Sequence, residues 1–189
     1  MVGSVLVGAG DRVLDVAAGT GLITRRLGAT GAAVVSLDQS QEMLARAVER
    51  GATGVVASAE ELPFGDDQFA AVTFGYLLRY VESVPDAMAE MTRVVRPGGR
   101  VGMVEFGRPS GVWQPLWWGF TRIILPVAGS LISRPWHEVG SFLGPSIDAF
   151  ADTWPPSRLT EAWEEAGLVD VTVVRMSLGG GLVMTATKP

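Results

Sequence analysis

Short apolar runs alternate along this chain with stretches of helical period, and that alternation predicts the elements. Val13, Leu14 and Val16 make the first run, a buried strand over about 12–17. Gly19 and Gly21 allow a tight turn into a helix near 21–27, with Leu22, Ile23 and Leu27 inward and Gly28 past its end. Ala33–Asp38 reads as a second strand. Ser40 then caps a helix that carries Met43, Leu44, Ala47 and Val48 at helical spacing and stops at Gly51. Gly54–Ala57 and Phe69–Phe74 are the third and fourth strands. A helix near 84–95 places Val84, Met88, Met91 and Val95 on one face, and Arg96-Pro97-Gly98-Gly99 ends it because Pro cannot continue the hydrogen-bond ladder. Arg100–Phe106 is the fifth strand. Strands alternating with helices call for a mostly parallel α/β sheet.

From 107 to 150 the alternation breaks. Residues 112–132 hold Trp113, Trp117 and Trp118 with Phe120, Ile123, Ile124, Leu125, Val127, Leu131 and Ile132. Arg122, Pro126 and Gly129 interrupt this run, which makes it a poor membrane span; folding over the sheet's carboxyl edge to line an oily pocket or touch a membrane surface is one expectation, and an ordinary core helix is the competing one. Ser157 starts a further helix with Leu159, Ala162, Trp163 and Ala166 inward and Gly167 at its end. Val169–Val174 and Leu182–Thr187 around Gly179-Gly180-Gly181 read as an antiparallel hairpin.

Composition narrows the function. The chain has 189 residues, 48% hydrophobic and 19% charged, which suits one globular domain over 1–189 with an insertion at about 107–150. A net charge of −5 argues against nucleic acid as the main partner. The absence of cysteine excludes thiolate metal sites, and a single histidine, His137, cannot build a zinc cluster, so no metal is expected. Met1–Val7 lacks the basic start and long apolar core of a signal peptide, and a cytoplasmic location is expected.

The chemistry centres on Asp15-Val16-Ala17-Ala18-Gly19-Thr20-Gly21. In doubly wound sheets nucleotide-like ligands sit at the carboxyl end of the first strand. A dinucleotide pyrophosphate wants bare N–H groups there, and Asp15 would repel it. The third residue after Gly21 is Thr24, where a dinucleotide fingerprint asks for Gly or Ala. Asp15 instead suits an ammonium or a sulfonium, and S-adenosylmethionine (SAM) carries both.

The order of motifs is recognisable: Asp15–Gly21, Leu37-Asp38-Gln39-Ser40-Gln41-Glu42-Met43-Leu44, Ala59-Glu60-Glu61-Leu62-Pro63-Phe64, Val72-Thr73-Phe74-Gly75, Arg93–Gly99 and Val104-Glu105-Phe106. Together they resemble the SAM-dependent methyltransferases of the Rossmann-like class, and within it the ubiquinone/menaquinone biosynthesis C-methyltransferases. The resemblance covers residues 11–108 well and the C-terminal helix and hairpin loosely. It implies a mostly parallel seven-stranded sheet with helices on both faces and an antiparallel C-terminal hairpin.

It further implies that Asp15, Ala17 and the Gly19-Thr20-Gly21 turn hold the methionine part of SAM, and that Asp38 accepts the ribose hydroxyls. Gln39 and Met43 would flank the adenine, with Ser58, Ala59 and Glu60 at its edge, although Met43 is as easily core. Thr73, Phe74 and Gly75 would lie beside the transferred methyl. Quinone-family members carry Phe-Gly-Leu-Arg-Asn, whose Arg and Asn face the acceptor ring. This chain has Phe74-Gly75-Tyr76-Leu77-Leu78-Arg79-Tyr80, two residues longer, so Arg79 and Tyr80 are the candidate catalytic pair. A surface charge at a helix end is the competing reading of Arg79. His137 is read as structural or surface more than catalytic.

The resemblance also implies a longer segment before the first motif than this chain shows, hence an open site, covered in part by a second copy in a homodimer. The expected activity is methyl transfer to a bulky apolar acceptor such as a quinol ring, with peripheral membrane contact. An N- or O-methyltransferase of a lipid or secondary metabolite, and a non-catalytic SAM-binding protein, stay open.

Overall fold

The computed structural model describes residues 5, 7–49 and 52–189. Met1–Ser4, Leu6 and the expected helix stop at Gly51 lie outside the described residues. By internal packing the chain divides into two compact units. The first comprises residues 1–105, 160–173 and 183–189, the second 106–159 and 174–182.

Most of the sheet belongs to the first unit. Its strands are β1 (Arg12–Val16), β2 (Ala33–Asp38), β3 (Thr53–Val56), β4 (Phe69–Gly75), β5 (Val95–Phe106), β6 (Val169–Met176) and β7 (Gly181–Thr187), in the order β3-β2-β1-β4-β5-β7-β6. Pairs β1–β2, β2–β3, β1–β4 and β4–β5 are parallel, with Asp15 opposite Ser36 on one side and Thr73 on the other. The consecutive neighbours β6 and β7 are joined by a single short turn at Ser177–Gly179, which only an antiparallel pair allows. Chain order reverses between β1 and β4, and this switch point is where such sheets open a crevice beyond their carboxyl ends.

The parallel strands are apolar because both faces are covered: Val13, Leu14, Val16, Phe69, Val72 and Phe74 are fully buried. Helices α1 (Leu22–Gly28), α2 (Gln41–Val48) and α3 (Val84–Val94) lie in the first unit, with Ser40 and Ser83 capping α2 and α3 through their hydroxyls. The inward faces differ from expectation in detail. Leu22 is exposed and Thr24 buried, because Thr24 is drawn to Asp15; on α2, Leu44 and Ala47 are buried while Met43 and Val48 are exposed. Gly28 is the last residue of α1 instead of lying past it. The Arg96–Gly99 segment ends α3 but belongs to β5, held by reciprocal hydrogen bonds of Gly98 and Gly99 with Lys188. Trp163, on α7 (Pro156–Glu165), is fully buried against Phe74 with ring centroids 6.1 Å apart.

The second unit is helical where the strand–helix alternation failed. Residues 111–132 form one continuous helical run: a 3₁₀ turn at Gly111–Trp113, α4 (Gln114–Gly119), a π turn at Phe120–Ile124 and α5 (Leu125–Ile132). Pro126 and Gly129, which interrupt the apolar run, do not interrupt the helix. Proline is tolerated in the first turn of α5, and the π turn just before it absorbs the missing amide. After Ser133 the chain returns as α6 (Arg134–Thr153), which packs along α5 to make a helical hairpin.

Candidate active site

The carboxyl ends of β1, β2, β3 and β4 surround a cavity of about 460 Å³, within the range of small-molecule sites. Val16, Ala17 and Gly19 line it from the turn after β1; Leu37, Asp38, Gln39 and Met43 from the end of β2 and α2; Ala57 and Ala59 from the segment after β3. Gly75, Tyr76, Leu77, Tyr80 and Val81 close it from the segment after β4.

The turn after β1 is built for backbone exposure. Ala17, Gly19 and Gly21 all have positive φ, at 52°, 56° and 78°. A side chain on Gly19 would meet open space, whereas a Cβ on Gly21 would come within 3.0 Å of Ala47. Gly21 thus serves the approach of two helices, and Gly19 leaves room in the cavity. The Gly19 amide donates to Asp38 Oδ2 at 2.8 Å and the Ser40 amide to Asp38 Oδ1 at 2.8 Å. Asp38 therefore ties the first glycine turn to the start of α2. A carboxylate has about four acceptor positions, so two remain for a ligand's hydroxyls.

Asp15 does not line the cavity. It is fully buried; Thr24 Oγ1 donates to its Oδ2 at 2.6 Å and Thr73 Oγ1 to its Oδ1 at 2.9 Å. Because Thr24 gives its proton to Asp15, Ser36 Oγ must donate to Thr24 across their 2.8 Å contact. Burial pushes the Asp15 carboxyl up to about 6, against the pull of these hydroxyls and with a small push from Asp38. Its place in the site is to anchor the carboxyl ends of β1 and β4 and the first turn of α1.

The remaining predicted residues separate into two groups. Ala17, Gly19, Asp38, Gln39, Met43, Ala59, Gly75 and Tyr80 line the cavity. Thr20, Gly21, Ser58, Glu60, Thr73 and Phe74 do not. Ser58 Oγ accepts from Gln39 Nε2 at 3.2 Å and from the Glu60 amide, while Glu60 Oε1 accepts the Ser83 amide at 2.7 Å. Glu60 thus caps the approach to α3 instead of presenting its carboxylate to the cavity. Thr73 is occupied by Asp15, and Phe74 is core.

Arg79 is not a surface charge, nor does it line the cavity. Its side chain is 3% exposed, and Nε donates to Glu105 Oε1 at 3.0 Å, with Glu105 0% exposed at the end of β5. Its guanidinium lies over the Tyr80 ring, 5.2 Å from the centroid. Glu105 and Tyr76 were missed as site residues. An ionisable residue inside the β5 apolar run was the available signal for the first. Tyr76, at φ 56°, holds a strained left-handed conformation for a bulky residue, and its amide donates to Val104 O at 2.9 Å.

In the second unit His137 Nδ1 lies 3.0 Å from Pro126 O; a carbonyl only accepts, so Nδ1 carries the proton and clamps α6 to α5. Among the described residues no cluster of His, Asp and Glu is arranged to hold a metal ion.

One cavity thus brings together a carboxylate with acceptor positions left over, apolar side chains and two tyrosines at the β4 end. The model of the ubiE/COQ5 methyltransferase family matches residues 3–188. The chain belongs to that family. A demethylmenaquinone methyltransferase of Mycobacterium marinum is 39% identical over 180 residues, covering 94% of this chain and 74% of that protein. A solved Thermotoga maritima SAM-dependent methyltransferase, described as a possible histamine N-methyltransferase, superposes with a TM-score of 0.69 at 17% identity, over 100% of this chain and 86% of the other. The Haemonchus contortus phosphoethanolamine N-methyltransferase 2, solved with S-adenosyl-L-methionine, gives 0.69 at 16% identity over 100% and 52%. At such identities these structures establish the Rossmann-like fold alone; the family match and the Mycobacterium marinum relative make the chain a methyltransferase, and an enzyme.

Proposed function

We propose that this methyltransferase uses SAM to methylate a ring carbon of a quinol bearing a long apolar tail, a demethylmenaquinol, working in the cytoplasm at a membrane surface. Relatives named demethylmenaquinone methyltransferase, at 39% and 36% identity over 95% of the chain, support the acceptor. The observation that carries the cofactor is Asp38, whose two backbone bonds fix a carboxylate at the β2 end of the cavity with acceptor positions left over.

When bound, SAM supplies a methyl group on a sulfonium, already attached to a good leaving group. The chain's own residues then have to bind, align and exclude water. Asp38 would accept the ribose hydroxyls. Leu37, Met43 and Ala57 would give the flat adenine an apolar seat with Gln39 at its edge, and Gly19 would leave space for the methionine part. Tyr76 and Tyr80 line the cavity at the end of β4, where an aromatic ring would suit a cation and a phenol would hydrogen-bond an acceptor hydroxyl. The buried Arg79–Glu105 pair holds the segment that carries Tyr80 and is a positioning pair.

The test is turnover of the chain with SAM and a detergent-dispersed demethylmenaquinol, with the product fragmented by mass spectrometry. The expected product carries the new methyl on a ring carbon. A methyl on oxygen or nitrogen would reassign the acceptor, and SAM binding without turnover on any acceptor would leave a non-catalytic SAM-binding protein.

A further inference from the structure

We propose that the helical hairpin of the second unit, residues 111–153, lies in the surface of a lipid bilayer, with the apolar outer face of its first helix sunk into one leaflet. Along the run 111–132, Val112, Leu116, Phe120, Ile123, Val127 and Leu131 follow one another at steps of four and three, which stacks them on one side of a helix. Each is between 41% and 84% exposed. With the flanking tryptophans the face amounts to on the order of 1,000 Å² of apolar surface, well above what an ordinary soluble monomer leaves open. The run is long and apolar enough to cross a membrane, yet only 11% of it is buried and it lies far from the N-terminus, so it is neither a core helix nor a leader.

The seam of the hairpin shows which occupant suits this face. In water a helix pair turns its large apolar side chains inward; here the reverse holds. A Cβ on Gly140 would come within 2.7 Å of Leu125 O and one on Gly144 within 3.0 Å of Thr121 Cβ, and one on Gly129 would strike Trp136 O. Backbones meet through glycine, the large side chains point away, and that is the packing used where lipid is the solvent. The charge pattern agrees. Arg122 is the one charge between 111 and 132, and Asp148 of α6 neutralises it at 2.6 Å. From 123 to 133 no side chain is charged, so the face lacks the rim of charged and hydrogen-bonding groups that a protein partner would meet.

Depth follows from α6. It carries Arg134, Glu138 and Asp152, whose exposed charged side chains need water, so the pair lies in the headgroup plane instead of crossing. Trp113 and Trp118 near one end of the run and Trp136 beyond the other, all exposed, suit the boundary between headgroups and chains. With a net charge of −5, attraction to anionic lipid is not the driving force. The proposal gives the acceptor reading above a means of access, but it stands on the hairpin alone and is measured without cofactor or acceptor.

The experiment is flotation of the full chain with neutral phosphatidylcholine vesicles, beside the double variant Val127→Glu/Leu131→Glu. Both positions are exposed, so circular dichroism melts of the variant should match the parent. The parent should float, undiminished at about 0.5 M salt, where electrostatic binding fades, and its tryptophan emission should be quenched by brominated lipid. The variant should lose at least tenfold in partitioning, with the quenching. Failure of the parent to float, or equal flotation of the variant, would overturn the proposal. So would a parent that ignores vesicles but forms a dimer that the variant dissolves, since a second copy would then cover the face.

Discussion

Asp38 joins two turns through its two backbone bonds and offers its remaining acceptor positions to a ligand. Asp38→Ala should therefore remove charge-assisted bonds of roughly 1.5–3 kcal/mol each and weaken SAM affinity at least about tenfold, as calorimetry would report. Unchanged affinity would remove the ribose assignment. Asp15 predicts something different because it is buried and its carboxyl is pushed up to about 6 from 3.8. Between those values the folded chain binds more protons than the unfolded one, so this group's ionisation costs stability as pH rises from about 4 to about 6 and adds no further slope above. The full penalty is on the order of 3 kcal/mol. Asp15→Asn keeps the shape and abolishes the titration, so urea unfolding at pH 4.5 and pH 7 should show the variant gaining on the parent at the higher pH. Equal pH dependence in both would mean that the carboxyl is not perturbed.

At the scale of elements, the Arg79–Glu105 pair joins the segment after β4 to the end of β5. Arg79→Ala leaves a fully buried carboxylate without its guanidinium and should cost about 3–5 kcal/mol of stability, whereas Arg79→Met with Glu105→Leu should cost much less. Denaturant titrations of both variants check this; a stable Arg79→Ala protein that binds SAM but does not turn over would instead place Arg79 against the acceptor. The same pair marks where sequence reading stopped. The strands, the capped helices and the Gly19–Gly21 turn were legible because period, caps and glycine act locally. Asp15 pointing inward to Thr24 and Thr73, Arg79 meeting a residue 26 positions away, and Glu60 turning to Ser83 depend on which strands become neighbours, which no local pattern encodes. Pro126 and Gly129 marked 111–132 as a poor membrane span, but the sequence did not show that a π turn accommodates one and a close helix crossing requires the other.

For the whole molecule, a ligand that binds only the folded chain stabilises it by mass action, about 2.7 kcal/mol at a hundred times its dissociation constant. Saturating SAM should raise unfolding free energy by that amount in the parent and by less in Asp38→Ala at the same concentration, a comparison open to thermal or urea melts. A SAM concentration series that leaves stability flat would contradict the cofactor reading. The chain passes between its two compact units four times, after Glu105, Leu159, Val173 and Leu182. The glycine turn, Asp38, Tyr80 and the Arg79–Glu105 pair all lie in the first unit, and every residue of the apolar hairpin in the second. Every residue that lines the cavity lies in the first unit, so a chimera taking 106–159 together with 174–182 from a relative should keep this chain's affinity for SAM, and calorimetry showing that affinity lost would place cofactor contacts in the second unit.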